Sequence, residues 1–183
     1  MIDPVFVWVV SMGMALLFFA AAGHKLVSPS EFRVIVIEYD ILPKAIAGLV
    51  ASLIPLLEIG LALLWLTQLA PIVATSVSIV LLSVYCIAIG INLQRGRVHI
   101  SCGCGFSGSG SDSEQPLSVG LIVRNCALIA VLGICLLPQA TREMGWIDYI
   151  AVLFAVCMAL LLYASVSQLL KNDATMASWR STW

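Results

Sequence analysis

The sequence predicts an all-α integral membrane protein: a bundle of about five transmembrane helices, with a four-helix core and one further helix. Composition is the first reason, because 61% of the residues are hydrophobic and only 10% are charged, whereas soluble domains average about 25% charged residues. The second reason is that the apolar residues fall into five long runs, at residues 5–22, 45–66, 72–91, 117–137 and 146–167. Runs of about 20 apolar residues cross a hydrocarbon core of about 30 Å, so residues 1–183 are predicted to form a single membrane domain.

The first run follows Met1-Ile2-Asp3-Pro4, without the basic residues that precede the apolar part of a cleaved signal peptide. We therefore expect it to be a retained helix. It ends at Gly23-His24-Lys25. A histidine at the end of a span is either an interfacial anchor or a group that handles protons or binds a partner, and the sequence leaves both roles open for His24.

A short interfacial helix is predicted after the first span. Ser28 has the position of an N-cap, Pro29 is suited to the first helical position, and Glu31 follows three residues after the cap. Apolar residues then recur at helical spacing to about Ile41, and Pro43 ends the segment. The segment carries too many charges to cross a membrane, so we expect it to lie at the interface.

The second and third spans are joined by a tight turn, which makes them antiparallel neighbours. The second span contains Pro55, which predicts a kink, and Glu58. A carboxyl group inside a span is costly and usually faces the bundle interior, a partner or water, so Glu58 is a candidate functional residue. A structural hydrogen bond to another helix is the alternative. Cys86, in the third span, is interpreted as a packing residue.

The segment at residues 98–116 is a polar, glycine- and serine-rich loop that carries Cys102-Gly103-Cys104-Gly105. Two thiols in polar surroundings are not explained by packing, because buried cysteine behaves as a small hydrophobe. A bridge between Cys102 and Cys104 needs a turn, which Gly103 permits, and so small a ring would be strained and easily reduced. This pattern favours a redox-active dithiol; free thiols and half of a metal site are the alternatives.

Arg124 lies early in the fourth span, at a predicted depth of about 10 Å along the helix. Its guanidinium either snorkels to the interface or stabilises a thiolate of Cys102 or Cys104, because a nearby cation lowers the pKa of a cysteine. A four-thiol metal site would need two more ligands, and Cys86 and Cys126 are the cysteines on neighbouring helices that come into question. The same two are candidate secondary redox partners. No quinone, haem or zinc motif is visible, so no cofactor is predicted, and the sequence leaves a quinone open.

The distribution of Lys and Arg predicts which side of the membrane the dithiol faces. With five spans, the side that bears the 98–116 loop also bears most of these residues: Lys25, Arg33, Lys44, Arg95, Arg97, Lys171 and Arg180. The other side has Arg142. The positive-inside rule therefore places the dithiol in the cytoplasm. The net charge of −1 gives no basic footprint for nucleic acid.

Several short motifs occur in a fixed order over roughly residues 15 to 130. They are Ala22-Gly23-His24-Lys25-Leu26, Phe32-Arg33 with Tyr39 and Leu42-Pro43, Pro55-Leu56-Leu57-Glu58, Asn92-Leu93 with Gly96-Arg97, Cys102-Gly103-Cys104-Gly105, and Pro116-Leu117-Ser118 with Arg124-Asn125. In this combination the chain resembles the methylamine utilisation protein MauE family, a branch of the wider DoxX-like and MauE-like membrane families.

The resemblance implies a multi-pass protein of the bacterial inner membrane that helps to mature the small, disulfide-rich β subunit of methylamine dehydrogenase. It also implies a thioredoxin-like partner, MauD, and a dithiol on the periplasmic side, which we adopt against the charge count. Thiol–disulfide exchange through Cys102 and Cys104 is the expected chemistry. The alternatives are a non-enzymatic membrane anchor that docks the partner and a small transporter built around Glu58.

Overall fold

The structure is a computed structural model that describes residues 2–96, 119–140 and 142–180, with side chains described as far as Leu169. These ranges form helices and connections, with a single isolated bridge between Ile2 and Gln139. The helices are α1 (Pro4–Val27), α2 (Pro29–Glu38), α3 (Lys44–Thr67), α4 (Pro71–Gln94), α5 (Val119–Cys135) and α6 (Trp146–Arg180). The predicted all-helical membrane bundle with a short helix after the first span is confirmed.

Four described helices are long and apolar enough to cross a membrane: α1, α3, α4 and the Trp146–Leu169 part of α6. Helix α5 is also apolar but shorter, with 17 residues, and the residues before Val119 lie outside the described part of the chain. Each of the five helices overlaps one of the five predicted apolar runs.

One apolar core joins α1, α3, α4 and α5. Its fully buried side chains include Phe18 of α1, Leu61 and Trp65 of α3, and Leu132 of α5. Helix α6 packs against α1 on the outside of the core. Only 11% of its most apolar stretch is buried, whereas the buried share of the corresponding stretches in α1, α3 and α4 is 33–39%. The bundle is therefore a four-helix core with one added helix.

The two ends of the bundle differ in the elements they bring together. At one end Asp3 and Asp148 both accept hydrogen bonds from Arg142, at 3.3 and 3.0 Å. At the other end, Arg95 donates a 3.0 Å bond to the carbonyl of Asp40, and the first turn of α5 packs on the last turns of α4. We call this second end the loop end, because the chain between α4 and α5 starts and finishes there.

Helix boundaries depart from the sequence interpretation at three places. Helix α1 continues past residue 22 to Val27, because the charge of Lys25 is neutralised inside the bundle. Helix α2 ends at Glu38 rather than near Ile41, since Asp40 adopts a left-handed conformation with φ 49°, and the Ser28 side chain makes no capping bond. Helix α6 extends to Arg180, well beyond the predicted residue 167.

Candidate functional site

A buried ion pair connects α1 to α3 inside the bundle. Lys25 of α1 donates a hydrogen bond to Oε1 of Glu58 of α3, and these side chains are 2% and 1% exposed. Tyr85 of α4 donates a 2.7 Å bond from its hydroxyl to the same oxygen. Three helices therefore converge on one carboxylate oxygen.

Aromatic rings surround the ammonium group of this cluster. Lys25 Nζ lies 5.1 Å from the ring centroid of Phe32 and 5.2 Å from that of Tyr85, within the range of cation–π attraction. It is also 3.3 Å from the Tyr85 hydroxyl. In a low-dielectric interior a paired charge interacts strongly with its partner, and an unpaired charge is costly. Loss of one partner from this cluster is therefore expected to destabilise the bundle.

An apolar cavity of about 230 Å³ opens beside Lys25. Its polar lining consists of Lys25, Tyr85 and Tyr39, and the remainder is mainly aliphatic side chains from α2, α3 and α4. Burial raises the pKa of Tyr39 to about 12, so its hydroxyl stays protonated at any physiological pH. This cavity suits an apolar group that carries few hydrogen-bond acceptors.

A second, smaller cavity lies on the other side of Glu58. Its volume is about 30 Å³, enough for a water molecule, and Glu58, Tyr85, Arg124 and Asn125 line it. Glu58 Oε2 is buried and has no hydrogen-bond partner among the described residues. The Arg124 guanidinium lies 5.5 Å from the centroid of the Tyr163 ring. The structure thus brings two of the predicted site residues, Glu58 and Arg124, to one cavity.

The other predicted site residues lie elsewhere in the chain. Cys102 and Cys104 lie outside the described residues, so their pairing and the action of Arg124 on their thiolates stay predictions. His24 is exposed at the loop end, whereas its neighbour Lys25 is buried. Within the described ranges, no three His, Cys, Asp or Glu side chains are close enough to hold a metal ion.

Sequence reasoning missed Lys25 and Tyr85 as partners of Glu58, although a signal for each was present. Lys25 follows Phe18 and Ala22 at the spacing of one helix face, and both of those residues are buried. Tyr85 follows Leu81 and Leu82 in the same way. A charge on the buried face of one span requires an opposite charge on another, which points from Glu58 to Lys25.

Comparison with known proteins identifies the family but no closer relative. No curated protein and no solved structure matches the chain. The family described as "Methylamine utilisation protein MauE" matches residues 3–138, which is more than half of the chain and includes α1 to α5, Lys25, Glu58, Tyr85 and both loop cysteines. The protein therefore belongs to the MauE family of multi-pass membrane proteins of methylamine utilisation.

Proposed function

We propose that this protein is a membrane accessory factor for maturation of the disulfide-rich β subunit of methylamine dehydrogenase. It acts by thiol–disulfide exchange between Cys102/Cys104 and the thioredoxin-like partner MauD. The observation that carries the proposal is the family match over residues 3–138, which spans the Cys102-Gly103-Cys104 motif.

The described helices support this reading by what they place at the loop end. Helix α4 ends at Gln94 and α5 begins at Val119, so the dithiol lies in sequence between two helices that pack on each other. The Lys25–Glu58–Tyr85 cluster ties α1, α3 and α4 together inside the same bundle. A rigid base of this kind suits a site that must meet a partner protein in a defined orientation.

The chemistry proceeds through a mixed disulfide. A thiolate of the pair attacks one sulfur of the partner's disulfide, forming a new S–S bond and releasing the partner's other sulfur as a thiolate. The second cysteine of the pair then attacks the mixed disulfide, which leaves the pair oxidised and the partner reduced. The reverse sequence transfers two electrons the other way, and the two reduction potentials set the direction.

Replacement of Cys102 or Cys104 by serine is expected to abolish maturation of the β subunit, because one sulfur forms the mixed disulfide and the other is needed to resolve it. The measurement is the amount of correctly disulfide-bonded β subunit in cells that carry each variant, normalised to the amount of this protein in the membrane. Cys157→Ser is the matched control, since Cys157 is exposed on α6, far in sequence from the dithiol.

Full maturation in the Cys102→Ser/Cys104→Ser double variant would show that exchange is not the mechanism. If MauD still copurified with that variant, the anchor function would replace the redox function, because docking alone does not require the thiols. A Cys104→Ser variant that accumulates a mixed disulfide between Cys102 and MauD would support exchange directly.

The dithiol is proposed to face the periplasm, where the client acquires its disulfides. The ammonium group of Lys25 is paired inside the bundle. Lys25 is therefore left out of the count of Lys and Arg residues that lie near lipid headgroups. The remaining Lys and Arg residues at the loop end still outnumber Arg142, so the charge bias is weakened but not reversed.

Labelling with a membrane-impermeant maleimide tests this orientation. In spheroplasts, Cys102 and Cys104 should react before permeabilisation, whereas a cysteine introduced by Arg142→Cys should react only after it. Arg142 is a suitable reference because its side chain is 48% exposed at the opposite end of the bundle. The opposite labelling pattern would place the dithiol in the cytoplasm.

A further inference from the structure

We propose that Cys86 and Cys126 form a second redox pair, inside the membrane, that closes a disulfide between α4 and α5 by reducing a lipid-soluble quinone. This inference goes beyond the proposed function and does not rest on Cys102 or Cys104. It stands on the packing of two described helices.

The two sulfurs lie on facing turns of α4 and α5. Cys86 Sγ is 4.0 Å from the carbonyl oxygen of Ile122, which in a helix accepts the amide N–H of Cys126. Helical side chains lean toward the N-terminus of their helix, so the Cys126 side chain is directed toward the turn that contains Ile122. Consistent with this geometry, the Cys126 thiol contributes to the electrostatic environment of the Cys86 thiol.

Helices α4 and α5 are also in contact one turn beyond Cys86. Gly90 lies one turn after Cys86 on the same face of α4, and a β carbon at Gly90 would be 4.0 Å from Cδ1 of Ile122, an ordinary van der Waals distance. Disulfides need Cα atoms about 4.4–6.8 Å apart, which only closely packed helices supply.

The surroundings of Cys86 differ from those of a cysteine that merely packs. Its thiol interacts with the side chain of Asn125, which is 3% exposed, and with the charge of Arg124. Cys135, by comparison, lies in the apolar core cluster of the bundle.

The accessible side of the pair faces lipid. Cys126 is exposed on α5, together with Val123 and Ala127, about 10 Å along the helix from the loop end. At that depth in an apolar span a water-soluble protein cannot reach the sulfur, so the electron acceptor must dissolve in the hydrocarbon. Quinones are the lipid-soluble carriers that accept two electrons and two protons.

The proposed reaction balances within the pair and one quinone. One thiol adds to the quinone ring and forms a C–S bond. The other sulfur then attacks the first, so that the S–S bond forms as the C–S bond breaks and hydroquinone leaves. Two thiols lose two electrons and two protons, and the quinone gains both.

The geometry is tested in full-length protein in which Cys102, Cys104, Cys135 and Cys157 are replaced by alanine and a protease site is inserted within residues 98–116. After oxidation in membranes with a short-chain ubiquinone and cleavage, the two fragments should stay joined until dithiothreitol is added. The matched control keeps Cys86 and Cys135 and replaces Cys126, so that it retains one thiol on each of the same helices. Its fragments should separate.

Electron transfer is measured in the same samples as hydroquinone formed and thiols lost. We expect one hydroquinone for every two thiols, and an initial rate about tenfold or more lower in the Cys126→Ala control, because the second thiol acts at high effective concentration. Oxidation of the unsubstituted protein, followed by alkylation and peptide mapping, gives the same answer without a substituted chain and should recover a Cys86–Cys126 peptide.

Two results would overturn the proposal. Absence of a Cys86–Cys126 bridge with both the quinone and copper phenanthroline would refute the pairing. A bridge that forms with copper phenanthroline alone would refute the quinone as electron acceptor. Neither result bears on the maturation assay of the Cys102→Ser and Cys104→Ser variants, so failure here is distinguishable from failure of the proposed function.

Discussion

Lys25→Met should destabilise the bundle by about 3–5 kcal/mol, the range typical of removing one partner from a buried ion pair. The substitution keeps most of the side-chain volume but leaves the carboxylate of Glu58 without its cation in a nearly solvent-free interior. Glu58→Gln should lower the stability of the bundle by a similar amount, because it leaves the ammonium group of Lys25 buried without its counter-charge. The measurement is unfolding in mixed micelles with increasing dodecyl sulfate, followed by far-ultraviolet circular dichroism.

A double-mutant cycle separates charge from packing. Lys25→Met combined with Glu58→Leu should be more stable than either single variant, since no charge is then left unpaired. Arg142→Met is the matched control: it breaks an ion pair with Asp148 at the exposed end of the bundle, where water and salt screen the interaction. If the double variant loses the sum of the two single losses, Lys25 and Glu58 are not coupled and the cluster is not the structural tie described above.

The bundle itself was predictable because hydrocarbon imposes a simple rule on sequence. Every backbone polar group within a membrane must be satisfied internally, so long apolar runs become helices. The apolar runs did not predict that a charged residue could continue a membrane-spanning helix. The first apolar run predicts a span that ends at residue 22, yet α1 continues to Val27, because a lysine beside Glu58 is tolerated inside the bundle.

The candidate site was predictable only one residue at a time. Glu58 is conspicuous because a carboxyl group inside a span is rare, whereas Tyr85 resembles an ordinary packing residue and His24 is a more obvious proton carrier than Lys25. Which of two adjacent residues faces inward depends on the rotation of α1, and this is set by the packing of Phe18 and Ala22. That rotation is a tertiary property, which a reading of isolated motifs does not supply.

Trp65→Ala should cost about 3–5 kcal/mol, the range for removing a large buried aromatic side chain. Trp65 is 1% exposed in the core shared by α1, α3, α4 and α5, and its indole N–H donates a 3.0 Å hydrogen bond to Ser78 Oγ across α3 and α4. Lipid is as apolar as the core, so the loss comes from the cavity and the hydrogen bond rather than from the hydrophobic effect.

Trp146→Ala is the matched control for this prediction, because it deletes the same side chain where it is 73% exposed and leaves no cavity. Its unfolding midpoint in dodecyl sulfate should stay close to that of the parent protein.

Trp65→Phe fills most of the space but cannot donate a hydrogen bond to Ser78. It therefore isolates the contribution of that hydrogen bond, which should be about 1 kcal/mol. Equal losses for Trp65→Ala and Trp146→Ala would mean that the four-helix core does not carry the stability of the bundle. A small loss for Trp65→Ala alone would mean that α1 and α4 collapse into the space, and the Lys25–Glu58–Tyr85 cluster would then be the principal tie among α1, α3 and α4.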